Sequence, residues 1–345
     1  MAGEVVLRAG GFVPWFVHPL WSFHDSDPLT GHRGRKNFVG RHKTPSFEVV
    51  VAHDGAGFRR QEHQIPLDQA KHKVCVFGDS FTWGWGVGQG KVFTDQMSLL
   101  LPGFHIMNFG LSAAGTVAEY VLFRHECRDR IDPGDTVILM FFGGNDFDDN
   151  VRGRLFAKIE QERVVEVRKG QPAGLKIKRF LRDHFYLYNW LAAAWDLYWP
   201  TWVGRHFPRQ ALPHLNQGLS HSKAVIARHY LASFQRDCRK QGANFLAVYV
   251  PGGDEVEQMP GASSGLSAER QARRRTFFDI AQSLGIETLD LLPFFLEGRQ
   301  NPALGRLAFA RDHHWNEAGH ALAARVIARR LAEFYGQAKP SEAPG

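Results

Sequence analysis

The chain has 345 residues, 44% hydrophobic and 22% charged, with a formal net charge of +7. Those proportions describe a soluble globular protein with a large core, not a membrane-embedded or low-complexity one. The positive balance favours anionic surroundings such as phospholipid head groups, nucleic acid or acidic glycans, and no RNA- or DNA-binding motif supports the nucleic-acid choice.

Residues 1–46 are rich in Gly, Pro, His and aromatics without a sustained period, and read as an irregular arm. The opening MAGEVVLRAGGFVPWFVHPLW lacks a basic start followed by a long apolar core, so no signal peptide is expected. That points to the cytoplasm, whereas a trimmed N-terminal anchor would place the protein in the periplasm or at a membrane. From Phe47, FEVVVAHDGAGFRR predicts a hairpin turning at Asp54-Gly55, so that an arm with a hairpin occupies 1–70.

Apolar strands are predicted at Val74–Phe77, His105–Phe109, Thr136–Phe142, Phe245–Val250 and Thr288–Leu292. Most are separated by helical patterns, among them VFTDQMSLLL, TVAEYVLFRHECRDR and SKAVIARHYLASFQRDCRKQG. Strands alternating with helices make a parallel sheet covered on both faces, here over 71–150 and 223–336. The alternation breaks once, at 151–222. There RLFAKIEQERVVEVRKG predicts a strand pair and LKIKRFLRDHFYLYNWLAAAWDLYW one aromatic-rich amphipathic helix. This insertion is expected to stand over the carboxyl edge of the sheet. From Arg152 to Arg182 it carries ten Lys or Arg against three Glu, a charge suited to an anionic substrate or membrane surface. The longest apolar run, from Tyr188, is too short to span a bilayer and is interrupted by Asp196 and Pro200. Residues 337–345 read as a disordered tail. Cys75, Cys127 and Cys238 are odd in number and widely spaced, so neither a disulfide framework nor a metal-ligand pattern is expected.

The strand ends carry the chemistry. VCVFGDSFTWGWGVG ends an apolar strand on Gly78-Asp79-Ser80, and open α/β folds place their sites at such carboxyl edges. Alone, Gly-Asp-Ser is an ordinary turn signature. Further strand ends supply NFGLSAAG with Gly110, GGND with Asn145, and RDHHWNEAGH with Asp312, His313 and His314 before a long C-terminal helix. A serine nucleophile needs a general base and donors for the developing oxyanion, and these four segments hold both.

The set GDS, NFG, GGND and a C-terminal Asp and His resembles the SGNH (GDSL) hydrolase superfamily over about Val74 to Phe334. DPLTGHRGRKNFVG, FEVVVAHDGAGFRR and GDSFTWGWGV further resemble a bacterial branch linked to polysaccharide or lipid acyl chemistry. The resemblance implies a flavodoxin-like three-layer α/β/α sandwich. It implies Ser80 as nucleophile, His314 as base and Asp312 as its acid. The oxyanion hole would be the N–H groups of Ser80 and Gly110 with the Asn145 side chain. The commonest pattern is Asp-x-x-His, but the third residue after Asp312 is Trp315; Asp-x-His selects His314 and leaves His313 as the alternative. The implied reaction needs no metal or organic cofactor. Its expected substrate is a small-molecule or glycan ester, an acetyl group on a polyol above all, with Trp190, Trp199 and Trp315 as substrate-binding candidates. The alternatives are an O-acyltransferase using the same acyl-enzyme, a lipase or thioesterase on longer chains, and a non-catalytic lipid- or glycan-binding module.

Overall fold

The structure, a computed structural model, describes residues 2–17, 22–170, 174–206, 218–257 and 264–336; the expected tail at 337–345 lies outside them. Ahead of the main sheet come the short strands β1 (Trp15–Phe16), β2 (His24–Asp25), β3 (Arg33–Gly34), β4 (Val39–Lys43) and β5 (Glu48–Ala52). The main sheet holds β6 (His72–Gly78), β7 (Phe104–Gly110), β8 (Thr136–Phe142), β11 (Asn244–Val250) and β12 (Glu287–Asp290), and the pair β9 (Leu155–Glu160) and β10 (Arg163–Arg168) lies apart from it.

The sheet is parallel, in the order β12-β11-β8-β6-β7. Numbered by appearance within the sheet, this is the flavodoxin-like order, whose switch point lies between its first and third strands, β6 and β8. All seven residues of β8 are buried, as expected of a strand covered on both faces. On β6, Cys75 and Phe77 enter one core and Val74 and Val76 the other, following the two-residue pleat. Helices Thr116–Glu126, His221–Lys240 and Ser264–Leu284 cover the first core. Helices Phe93–Leu100, Leu292–Gln300 and Glu317–Phe334 cover the second. Each large apolar side chain so buried contributes about 1.5–3 kcal/mol. In register, Gly78 lies beside Gly110 on one flank and Met140 on the other, so three strands end nearly level. With helices on both faces, this is the flavodoxin-like three-layer α/β/α sandwich that the resemblance implies.

Three expectations need correction. The β5 strand pairs antiparallel with the preceding β4, not with a strand after Asp54-Gly55. That turn forms, with Asp54 accepting from the Ala56 and Phe58 N–H groups, but the return leg keeps only the bridge His53–Arg59. Arg59 is drawn inward instead. Its guanidinium donates to the Val87 carbonyl at 2.6 Å, the Gly84 carbonyl at 3.2 Å and Gln89 Oε1 at 2.6 Å. Second, Cys75 and Cys127 are joined as a disulfide between β6 and the end of helix Thr116–Glu126. A separation of 52 residues carries no spacing signal, and only the packing of that helix on β6 brings the two together. Third, the aromatic segment forms two helices, Leu175–His184 and Tyr186–His206, broken at Phe185. Glu4 from the N-terminal helix Ala2–Ala9 accepts from the Tyr186 and Leu187 N–H groups and starts the second helix. The β9–β10 pair is antiparallel and buries Leu155 and Ala157 in the core under helices Thr116–Glu126 and His221–Lys240.

Candidate active site

β6 runs straight into the four-residue helix Ser80–Trp83. Asp79 caps it by accepting from the Phe81 N–H at 2.9 Å. Gly84 closes it at φ 84°, a left-handed position that only glycine takes without cost. Ser80 is therefore held on a sharp turn with its Oγ turned toward the C-terminal loop, and the Ser80 N–H, first in its helix, has no carbonyl to bind within it.

Ser80 Oγ lies 2.7 Å from His314 Nε2, and His314 Nδ1 lies 2.5 Å from Asp312 Oδ1. Asp312 Oδ1 also accepts from the His314 N–H at 3.0 Å, and its other oxygen accepts the indole N–H of Trp85 at 2.9 Å. Burial opposes ionisation of Asp312, but the hydrogen bonds and charge of His314 outweigh it and hold the carboxyl well below the usual range. Ser80 and His314 are 7% and 6% exposed, so both are shielded from bulk water. The Trp85 ring stacks on His314 with centroids 4.8 Å apart, and Phe81 packs on the imidazole at the same distance.

His313 is exposed and stacks on Phe142, while its carbonyl accepts from the Gly253 N–H at 2.6 Å. Among the described residues, the cluster whose metal-ligating atoms converge is Asp312, His313 and His314, within 4.8 Å. In it His314 is committed through both ring nitrogens, to Asp312 and to Ser80.

The expected oxyanion donors divide. Asn145 begins helix Asp146–Arg152, but its side chain does not cap that helix; its amide beside Asp79 favours the ionised form of that acid. The Gly110 N–H, by contrast, is already spent on Asn108 Oδ1 at 2.8 Å. A Cβ on Gly110 would sit 2.2 Å from the Trp83 backbone nitrogen, so this glycine exists to let helix Ser80–Trp83 approach β7. Three residues on, Ala113 takes φ 60°, and its N–H has no acceptor among the described residues. A non-glycine residue in that conformation is strained by about 1 kcal/mol, a cost that concentrates at functional turns.

Of the aromatic candidates, Trp315 is not a wall of the site, and Trp190 makes none of the ring contacts on His314. Trp315 is fully buried, donates its indole N–H to the Pro251 carbonyl at 2.8 Å, and packs on Phe81, Phe93 and Phe295 as a core anchor. Trp190 faces solvent on helix Tyr186–His206, apart from the rings packed on His314, which are Phe81, Trp85 and His313. Trp199 is on the same helix, and its side chain lies outside the described residues.

Sequence reasoning missed two features. The first is Trp85, whose aromatic-glycine context GWG carries no signal of its partner 227 residues away. The second is a set of buried acids behind Ser80. Burial pushes Asp79 up to about 6 and Asp149 up to about 7. Glu119 is fully buried, and neither of its carboxylate oxygens has a hydrogen-bond partner among the described residues. Burial and the neighbouring Asp79 push it well above the usual carboxylate range, and burial and Glu119 do the same to Asp146.

The GDSL-like lipase/acylhydrolase family model matches residues 76–322. The chain belongs to that family. It is accordingly a serine hydrolase, an esterase or acylhydrolase. Comparison with curated protein sequences finds no significant match. Among solved structures it is similar to an acetyl xylan esterase, AlAXEase, at 13% identity and a TM-score of 0.43, over 74% of this chain and 97% of that one. It is also similar to Est24, a carbohydrate acetylesterase from Sinorhizobium meliloti, at 14% identity and a TM-score of 0.42, over 76% of this chain and 99% of that one. A third is Axe2, an acetylxylan esterase from Geobacillus stearothermophilus, at 13% identity and a TM-score of 0.43, over 79% and 98% of the two chains.

Proposed function

We propose that the enzyme removes a small acyl group, acetyl above all, from a polyol or glycan ester through an acyl-enzyme on Ser80. The observation that carries this reading is the unbroken line from Ser80 Oγ through His314 to Asp312, at 2.7 and 2.5 Å. His314 Nε2 takes the Ser80 proton as Oγ bonds to the ester carbonyl carbon. Asp312 holds the imidazole in place and stabilises the imidazolium. The tetrahedral oxyanion is met by the Ser80 N–H, the Ala113 N–H and the Asn145 carboxamide, each typically worth about 3 kcal/mol in the transition state. His314 then gives its proton to the leaving alcohol oxygen, and the acyl–oxygen bond breaks. Water, deprotonated by His314, releases the carboxylic acid from Ser80 by the same steps. The near-complete burial of Ser80 and His314 favours a short acyl chain, and the polyol half of the reading rests on the family resemblance.

The experiment is hydrolysis of acetyl and long-chain esters and of acetylated glycans, with Ser80→Ala, His314→Ala and His313→Ala beside the parent. Ser80→Ala and His314→Ala should each cost several orders of magnitude in kcat, and His313→Ala far less. Full activity in Ser80→Ala would refute the acyl-enzyme, and the reverse order of the histidines would move the base to His313. A product acylated on an added sugar would make the enzyme a transferase.

A further inference from the structure

We propose that the outer surface of helices Leu175–His184 and Tyr186–His206, with helix Ala2–Ala9 beside them, seats the enzyme on an anionic lipid bilayer. This goes beyond the reaction and does not depend on it. The three helices form one layer: Glu4 starts the helix Tyr186–His206, and the Arg8 guanidinium donates to the His184 carbonyl at 2.7 Å.

The layer turns a large apolar and aromatic surface to water. Ile177, Phe180, Leu191, Trp195 and Tyr198 are 65%, 54%, 53%, 57% and 67% exposed, and Val5 and Val6 of the first helix are also exposed. On helix Tyr186–His206, Leu191, Trp195 and Tyr198 recur at i, i+4 and i+7, while Asn189 and Ala193 are buried on the opposite side. Asn189 is tied there to the Trp15 backbone, accepting its N–H at 3.1 Å and donating to its carbonyl at 3.2 Å. The helix is thus fastened by its inner side, and the outward rings follow from its period. Single exposed apolar residues are ordinary, but a clustered surface of this kind marks a docking face.

Charge selects the occupant. Lys176 and Lys178 are exposed and ion-pair with none of the described residues. The nearby carboxylates are already engaged: Asp183 by Arg35, Asp196 by Arg182 and Glu4 by Arg8. Between the two longer helices a groove of about 520 Å³ is lined by Lys178, Arg179, Arg182, Tyr188, Leu191, Trp195 and Asp196; Asp196 is held by Arg182, and Lys178 stands beside the rings. Trp and Tyr beside Lys is the composition of an interfacial layer, in which rings enter the acyl boundary and ammonium groups stay at the phosphates. An acidic glycan would reward the lysines but not Ile177 or Leu191. A second apolar protein face would reward the rings but not the unpaired lysines. Among the described residues no helix is long and apolar enough to cross a membrane, so the contact is one of lying on the surface.

The test is flotation of the full chain with vesicles of phosphatidylcholine alone and of phosphatidylcholine with phosphatidylglycerol. Binding is expected to the anionic vesicles and to weaken with added salt. Lys176→Glu with Lys178→Glu should weaken it by about tenfold or more, since each cation near an anionic surface contributes at roughly the 1 kcal/mol level. Leu191→Ser with Trp195→Ser and Tyr198→Ser should abolish it, with the melting transition of both variants compared to the parent. Both lysines are exposed and in none of the described ion pairs, so their variant stays informative if the apolar triple does not fold. Ser80→Ala should float like the parent, which separates this surface from the chemistry. Absence of binding by the parent overturns the proposal, as does equal binding to neutral and anionic vesicles or by parent and lysine variant. A dimer of the parent that the triple variant returns to monomer, without vesicle binding, would make the face a contact between copies and overturn it too.

Discussion

The indole N–H of Trp85 donates to Asp312 Oδ2 at 2.9 Å, and the same ring stacks on His314. One side chain therefore holds Asp312 and flanks His314. On its far side Trp85 meets His42 edge-on at 4.9 Å and Phe47 at 6.3 Å, so the strands ahead of the main sheet set its position.

Trp85→Phe keeps a ring for stacking and deletes the donor. Losing one hydrogen bond to a partly buried carboxylate costs on the order of 1.5–3 kcal/mol, so kcat should fall by roughly 10- to 100-fold. KM for a soluble acetyl ester should hardly move, because Trp85 acts through Asp312 and not on substrate. Trp85→Ala should lose more than Trp85→Phe. A change confined to KM, or equal loss in both variants, would place the effect elsewhere.

Glu119 gives a stability prediction with a definite sign. Its carboxyl is raised in the folded protein, so between the ordinary carboxylate range and its folded value the native state holds a proton that the unfolded chain has released. Folding stability is then lost as pH rises through that window. Glu119→Gln removes the group that must ionise and leaves a neutral one of the same shape. Its melting temperature should exceed the parent's at pH 8, with the gain shrinking toward pH 4, where both side chains are neutral. Thermal melts across that range would show it, and a gain independent of pH would contradict the assignment.

Gly110 and Ala113 should respond in opposite ways to exchange of their side chains. Gly110→Ala drives a Cβ to 2.2 Å from the Trp83 nitrogen, backbone against backbone, and should destabilise the fold by several kcal/mol or abolish it. Ala113→Gly relieves a left-handed alanine at φ 60° and should stabilise by up to about 1 kcal/mol. It retains the N–H and should keep kcat within a few-fold. Denaturant unfolding and steady-state rates read both, and a stabilised but inactive Ala113→Gly would remove that N–H from the oxyanion reading.

The main sheet is legible because strands buried on both faces become unbroken apolar runs, and Val74–Phe77 or Thr136–Phe142 can hardly be anything else. The approach of Ser80, His314 and Asp312 is legible because each sits where such a run or its following loop ends. What chain order hides is contact. Glycine marks a free conformation and a close approach equally, so the sequence does not show that Gly110 admits the Trp83 backbone or that its N–H meets Asn108. Trp315 adjoins His314 in sequence, but the direction of its side chain is decided by the Pro251 carbonyl and not by proximity. Cys75 and Cys127, like Trp85 and Asp312, belong to elements whose packing no local pattern records.

Arg59 connects these observations. By binding the carbonyls of Gly84 and Val87 and the side chain of Gln89, it fastens the glycine-rich loop that carries Trp85. Yet Arg59 stands outside the stretch 76–322 recognisable as the family. The stretch that the family model matches and the stretch that holds the Trp85 loop are therefore different lengths. A chimera exchanging only residues 76–322 would transplant Ser80, His314 and Asp312 while leaving behind the Arg59 contacts that fasten the Trp85 loop.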